Sequence, residues 1–411
     1  MATDTPVGTE QHQQSGPHEE PHNDIVYPEA IPFVLVHLAA LGVFWTGVTA
    51  TSIVLCVLLY VVRMWALTAG FHRYFSHRSY KTSRIFQFVL AFVGQSSAQR
   101  GVLWWAAIHR HHHRHSDTPD DVHSPRHAGF FFSHVGWIFS RQKSEADYSL
   151  IPDFARYPEL RFLDRHPYVP VFLLAVACFL LDGWTGLIVG FFLSTVVLYH
   201  GTFAINSLAH VIGKQRYLTG DDSRNNWWLA VVTLGEGWHN NHHHYQSSTR
   251  QGFFWWEIDV SYYVLKAMAS TGLVWNLRAP PVAVVSGEAR VGRKTLERVA
   301  REIADGFSVE GLIGELEAAC RERPGLGEIL TLLRRRRDHT AAHLQASRDE
   351  LMARLKEISL PGLPSADGIR ELLAQRYRDS ANLDQVAERA RELLLERVVL
   401  HIGGEPRPGL S

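Results

Sequence analysis

From residue 31 to residue 62 the chain is almost uncharged, IPFVLVHLAALGVFWTGVTA running straight into TSIVLCVLLYVV. Between residues 169 and 199 the single formal charge is Asp182. One helical crossing of a bilayer needs roughly 20 apolar residues. Each stretch is therefore too long for one span and fits a hairpin of two, with breaks near Gly47–Ser52 and at Asp182-Gly183. Four such segments in two pairs predict an all-α, integral-membrane fold rather than the core helices of a water-soluble domain. The apolar run IFQFVLAFVGQSSA, 85–98, is short for a crossing and reads as a buried or interfacial segment. Beyond Pro280-Pro281 the pattern changes. Residues 292–402 are charged and rich in Leu, Ala, Glu and Arg, with Leu296, Val299, Ala300 and Ile303 at helical spacing. Ser308, Ser365 and Ser380 are placed to cap helices, and Pro361-Gly-Leu-Pro364 is a break. The organisation expected is a disordered polar tail over 1–29, a membrane domain over 30–283 and an amphipathic helical appendage over 284–411. Arg334–Arg337 in the appendage read as a solvated helix face, with contact to anionic lipid as the alternative.

Charge and composition refine this picture. The 411 residues carry no net charge, which favours neither nucleic acid nor an acidic partner. Cys56, Cys178 and Cys320 lie far apart and suggest no disulfide framework. The first 25 residues lack a basic start and an apolar run, so no secretory signal is expected there. The proposed hairpin turns contain no Lys or Arg, whereas 72–168 and the chain after 213 are rich in Arg. The positive-inside tendency then places both termini, and every histidine cluster, on the cytoplasmic side.

Those clusters carry the chemistry. They are His72-Arg-Tyr-Phe-Ser-His77, His109-Arg-His-His-His113, Asn206-Ser-Leu-Ala-His210 and His239-Asn-Asn-His-His243. His109, His112 and His113, like His239, His242 and His243, fall at i, i+3 and i+4, which puts three imidazoles on one helix face. Neutral imidazole ligates iron, zinc, copper and nickel, and the clusters offer enough ligands for two ions. The tail histidines His12, His18 and His22 lack this spacing. A zinc hydrolase uses three protein ligands and a carboxylate base, far fewer than the histidines clustered here. Redox-active iron accepts imidazole and activates oxygen, and membrane spans beside it imply a lipid substrate.

Taken together, these motifs resemble those of the integral-membrane acyl-CoA desaturases, the stearoyl-CoA (delta-9) desaturase family, in a bacterial-type form without fused cytochrome b5. The resemblance covers roughly residues 30–280. It includes Gly-Glu-Gly-Trp-His-Asn-Asn-His-His at 235–243 and the segments Asp-Val-His-Ser-Pro and Gly-Phe-Phe-Phe-Ser-His-Val-Gly-Trp within 121–137. It implies four transmembrane helices in two hairpins, with a cytoplasmic helical cap holding two iron ions. Their ligands would be His72, His77, His109, His112, His113, His210, His239, His242 and His243, with Asn206 holding a metal-bound water. His111, His115 and His244 then fall outside the ligand set. His123 and His134 match family positions that are not ligand positions. Glu236 and Asp117 are candidates to orient ligand imidazoles. Thr202-Phe203 stands where the family has a Thr-Trp pair at the acyl tunnel. Arg141 remains from an Arg-Lys headgroup pair, and Ala107 replaces a headgroup arginine. The implied activity is O2-dependent insertion of a cis double bond, delta-9, into a long-chain saturated acyl-CoA or acyl carrier protein thioester, with an acyl group in a phospholipid also open. Electrons would come from a ferredoxin-, rubredoxin- or cytochrome b5-like donor at the cytoplasmic membrane. A membrane fatty-acid or alkane hydroxylase and a non-catalytic metal- or lipid-binding membrane protein are the alternatives.

Overall fold

The computed structural model describes residues 25–322, 363–377 and 380–402. The tail through residue 24, Arg334–Arg337 and Pro361 lie outside the described residues. The described chain is mostly helical, and it divides into two compact units. One comprises Met1–Leu67 with Phe88–Leu208, the other Thr68–Gln87 with Ala209–Ser411.

The first unit contains the two long apolar stretches. Helix α1 (Tyr27–Ala40) is followed by a turn of helix at Val43–Thr46, and the chain then breaks at Gly47, whose φ is +66°. Thr49 restarts it. Its hydroxyl accepts from the Ser52 amide while the Ser52 hydroxyl accepts from the Thr49 amide, a reciprocal cap that opens α2 (Ala50–Trp65). Helix α2 runs on into a wider, π-helical stretch, Ala66–Ser76.

The second apolar stretch behaves alike. Helical geometry fails at Asp182 and Gly183 within α6 (Val169–Thr185) and resumes through a π-helical stretch, Gly186–Leu193, into α7 (Ser194–Asn206). Both breaks fall at the positions singled out by the apolar pattern. The Thr49 hydroxyl donates to Asp182 Oδ2 at 2.5 Å, tying the two turns together. Glycines set the approach of these helices. A Cβ on Gly190 would lie 3.1 Å from Leu55, and one on Gly201 would lie 3.0 Å from Met64 and Tyr60. The one deeply buried cation among them, Arg63, donates to Ser194, Thr195 and the carbonyls of Leu59 and Ser96, so its fork is satisfied without a carboxylate.

The continuous helical stretches Ala50–Ser76 and Val169–His210 are long and apolar enough to cross a membrane, while Ala30–Thr46 is apolar but shorter. Val54, Val57, Phe172, Leu180 and Leu181 stand exposed on them, a surface suited to lipid rather than water. The 85–98 segment forms one helix, α3 (Arg84–Gln95), with Ile85 and Val89 exposed and Leu90 and Ala91 buried.

Helix α4 (Val102–His115) has no cap of its own, because Gly101 precedes it. Asp164, on α5 (Pro158–Arg165), supplies the cap. Its Oδ1 accepts from the amides of Leu103 and Trp104, both at 3.0 Å. A Cβ on residue 101 would sit 2.0 Å from that oxygen, which is why the position is glycine.

In the second unit a two-residue antiparallel pair, β1 (Lys81–Thr82) with β2 (Val274–Trp275), joins its two chain segments, Lys81 opposite Trp275. Short helices α8 (Trp227–Val232) and α9 (His239–His244) precede α10 (Val260–Ser270). The appendage supplies α11 (Arg293–Asp305), α12 (Val309–Glu322), α13 (Ala366–Arg376) and α14 (Leu383–Ile402). Val299, Ala300, Ile369, Leu373, Val386, Ala390 and Leu394 form their shared core, and Leu218 from the chain ahead of α8 is buried in it. Ser308 and Ser365 cap as expected, accepting from the amides of Gly311 and Gly368. Ser380 does not cap a helix. Its hydroxyl accepts from the Leu218 amide at 2.7 Å, because this edge of the 215–222 segment needs a partner and the appendage provides it.

Candidate metal centre

The histidines come together within each unit as pairs of ring nitrogens at nearly one spacing. On α4, His109 Nε2 and His113 Nε2 are 2.9 Å apart. In the other unit the Nε2 atoms of His72 and His242 are 3.0 Å apart, and those of His210 and His239 are 3.1 Å apart. His77 joins the former pair, with ring centroids 4.8 Å from His72 and 4.5 Å from His242. His243 joins the latter, 4.4 Å from His239. Two imidazoles at right angles on one ion, each nitrogen about 2.1 Å from it, stand about 3.0 Å apart. The observed spacing fits a transition-metal ion bound by Nε2.

Three carboxylates fix the rings for that role by accepting from Nδ1. Glu236 Oε2 holds His72 at 2.5 Å, Asp121 Oδ1 holds His112 at 2.9 Å and Asp221 Oδ2 holds His243 at 2.7 Å. An Nδ1–H bonded to a carboxylate leaves Nε2 as the lone-pair nitrogen and raises its basicity. Burial by itself would raise the pKa of each acid. The adjoining imidazole outweighs it, so Asp121 and Asp221 lie well below the usual carboxylate range, and Glu236, which also faces Arg73, is held at about 2. Burial, and then the neighbouring rings of His72 and His77, push His242 well below 6.5. It is the neutral ring that binds a metal.

The Gly-Glu-Gly-Trp-His run owes its glycines to this packing. Gly235 has φ +126°, and a Cβ there would sit 2.4 Å from Asp259 Oδ1. Arg73 Nη1 donates to Asp259 and to the Thr249 carbonyl, while its Nε and Nη2 donate to Glu236. The two asparagines between His239 and His242 are clamps. Asn240 Oδ1 accepts from the amides of Arg216 and Tyr217, and Asn241 bonds Asn225, Gln251 and Glu257.

A cavity of about 650 Å³ lies within the first unit. Phe33, Trp104, Trp105, Trp137, Tyr199 and Phe203 give it aromatic walls, and Thr202, Asn206, His109 and His123 place polar groups in them. Thr202 Oγ1 accepts from Gln99 and donates to the Leu198 carbonyl. The size and the lining suit an apolar ligand with a few orienting groups. Arg141 is exposed and is not part of this wall.

A family model described as fatty acid desaturase matches residues 49–270. The chain belongs to the fatty acid desaturase family. Among similar proteins is an sn-1 stearoyl-lipid 9-desaturase of Anabaena variabilis, 36% identical over 60% of this chain and 91% of the relative. An acyl-CoA 5-desaturase of Anemone leveillei is 35% identical over 58% of this chain and 72% of the relative. A hex-5-enoyl-[acyl-carrier protein] acetylenase of Moorena producens is 31% identical over 63% and 86%. The protein is thus an oxidoreductase of lipid metabolism that acts on fatty acyl chains, with histidine clusters suited to metal and apolar helices suited to a membrane.

Of the residues read from the sequence as orienting groups, Glu236 bonds a clustered histidine directly. Asp117 accepts from the Ser124 hydroxyl, while its amide donates to Asp121 Oδ2, so it steadies the carboxylate that holds His112. Asp121 and Asp221 went unassigned in the sequence. The first sat inside a recognised segment, Asp-Val-His-Ser-Pro, and the second had no spacing to reveal it. His111 bonds the Asp120 carbonyl and stacks on His115, and His244 stacks on Tyr217 at 4.2 Å, all three engaged elsewhere. His134 bridges Ser207 and His200, and His200 reaches His37, a row of rings that the sequence did not announce.

Proposed function

We propose that the protein is an O2-dependent acyl desaturase that inserts a cis double bond, delta-9, into a long-chain saturated acyl thioester at a di-iron centre. The supporting observations are three Nε2 pairs at 2.9–3.1 Å and the carboxylates on Nδ1 of His72, His112 and His243. His72, His77, His109, His112, His113, His210, His239, His242 and His243 would divide between two ions, with Asn206 holding a water. Bound iron would supply the oxygen-dependent attack on an unactivated C–H bond. The chain's own residues do the rest. Glu236, Asp121 and Asp221 hold Nδ1 of His72, His112 and His243, so that Nε2 is the nitrogen aimed at the metal. The aromatic walls hold the acyl chain away from water, and Thr202, Phe203 and Asn206 shape its path. The overall reaction consumes O2, two electrons and two protons, and releases two waters with the alkene. The electrons would come from a ferredoxin-, rubredoxin- or cytochrome b5-like donor. CoA or acyl carrier protein would carry the acyl group, with Arg141 as a weak headgroup contact.

Four membrane crossings in two hairpins, with the histidines and both termini on the cytoplasmic side of a bacterial-type membrane, complete the proposal. Its support is the pair of helix breaks free of Lys and Arg. The catalytic portion would end near residue 283. Lipid profiling after expression in a host lacking desaturase tests the reading. The expected result is a new cis monoene, with the double bond nine carbons from the carboxyl, formed only with O2. An alcohol product would point to a hydroxylase, and unchanged lipids with a filled metal centre would point to a non-catalytic role.

A further inference from the structure

The second unit holds a pocket of about 1120 Å³ where the 212–238 segment meets the end of α13. Lys214, Arg216, Arg224 and Arg376 line it together with Trp227 and Trp228. Two of the four cations are committed. Arg216 pairs with Glu257 and lies over the Phe254 ring, and Arg376 bonds Gln215 and Asp222. The other two are not. Neither Lys214 nor Arg224 pairs with a carboxylate among the described residues. The Arg224 Nε is buried without a hydrogen-bond partner, and its Nη1 reaches only the Gly213 carbonyl at 3.5 Å. A buried guanidinium N–H left open beside a second uncommitted cation is a site short of an anion.

The rim says which anion. Trp227 is 70% exposed and Val231 63%, with Ile212 beside them at 49%. Exposed tryptophan and aliphatic side chains around basic groups are the composition of a membrane interface, where the ring sits at headgroup depth and the cation meets phosphate.

We propose that this pocket binds the phosphate of an anionic phospholipid. Arg224 presents its fork to two phosphate oxygens, Lys214 adds a point charge, and Trp227, Ile212 and Val231 lie among the acyl chains. Its lining includes none of the clustered histidines, and it uses Arg376 of the appendage as part of its wall. The proposal rests on the membrane reading of the chain and on no catalytic step.

The test is native mass spectrometry of the full-length protein with phosphatidylglycerol or phosphatidylcholine added in equal amounts. Wild type should retain phosphatidylglycerol in preference. Lys214→Gln with Arg224→Gln should weaken that preference roughly tenfold to thirtyfold, whereas Arg224→Lys, which keeps the charge but loses the fork, should weaken it less than the double variant does. Lys214 is exposed, so Lys214→Gln alone carries the test with a smaller loss if the double variant does not fold. Arg301→Gln, a cation on the appendage outside the pocket, should change nothing. An undiminished preference in the Lys214 and Arg224 variants, or none in wild type, overturns the proposal. So does displacement of the lipid by equimolar CoA or inorganic phosphate, which would make the ligand a soluble phosphate. Because the readout is lipid mass, a protein with intact preference but no alkene product would sink the desaturase reading alone.

Discussion

Three of the clustered histidines are oriented through the partner of their second nitrogen. Glu236, Asp121 and Asp221 hold Nδ1 on His72, His112 and His243, so the lone pair of each ring is placed on Nε2 before any ion arrives. Asp221→Asn should therefore weaken iron binding by roughly 10- to 100-fold while leaving the fold intact, as measured by metal titration. His112→Ala, His210→Ala and His242→Ala should each abolish alkene formation, and His111→Ala and His244→Ala should keep most of it. His244 has a separate signature. Burial pushes its imidazole down to about 4, from 6.5. Below pH 6.5 the unfolded chain takes up a proton that the folded chain refuses, so stability is lost as pH falls from 6.5 towards 4, by on the order of 3 kcal/mol. His244→Phe keeps the stack on Tyr217 and removes the proton. Thermal unfolding at pH 7 and pH 5 should show a smaller drop in Tm for the variant, and equal drops would mean that His244 does not titrate in this way. At this scale the histidine clusters were legible because helical spacing and motif order reveal them. Glu236 was legible because it sits in the Gly-Glu-Gly-Trp-His run. Asp221 was not, since only folding brings it to His243.

The helices follow the apolar pattern, and their ends follow local chemistry. The breaks at Gly47 and at Asp182-Gly183 could be read directly, because a positive φ at glycine and a lone carboxylate in an apolar run are both visible in sequence. The π-helical stretches Ala66–Ser76 and Gly186–Leu193 could not, because a wider helix differs too little in period over so few residues to mark itself. The cap of α4 was equally hidden, since it comes from Asp164, some 60 residues further along the chain. Asp164→Ala should cost about 1 kcal/mol through the two freed amides. Gly101→Ala should cost more, roughly 2–4 kcal/mol, because its Cβ would collide with the Asp164 carboxylate. Denaturation midpoints of the two variants against wild type give the order, and a harmless Gly101→Ala would show that Asp164 does not hold this position.

For the whole molecule, the composition changes after Pro281, but that change hides how the chain beyond it is attached. The family core and the histidine boxes precede it, which predicts that removal spares the metal. The structure gives the appendage a further task. Its core covers Leu218, Ser380 bonds the Leu218 amide, and Tyr217 donates to the Val285 carbonyl. Asp221, the partner of His243, lies three residues beyond Leu218. Truncation at residue 284 should therefore expose Leu218, at a cost of roughly 1.5–3 kcal/mol for that side chain alone, and loosen Asp221. Iron occupancy of the truncated protein should fall, and full occupancy would show that the 215–222 segment holds its shape unaided.

The measurement that bears most directly on the proposed centre is the iron-to-protein ratio of the purified full-length protein beside His242→Ala and His210→Ala. The two substitutions remove one member of each Nε2 pair in the second unit. The account predicts about two irons per chain in wild type and one or fewer in each variant, with alkene formation lost in step. Wild-type turnover and a full iron complement in His242→Ala, or a zinc-filled wild type that acts on acyl substrate without oxygen, would contradict it.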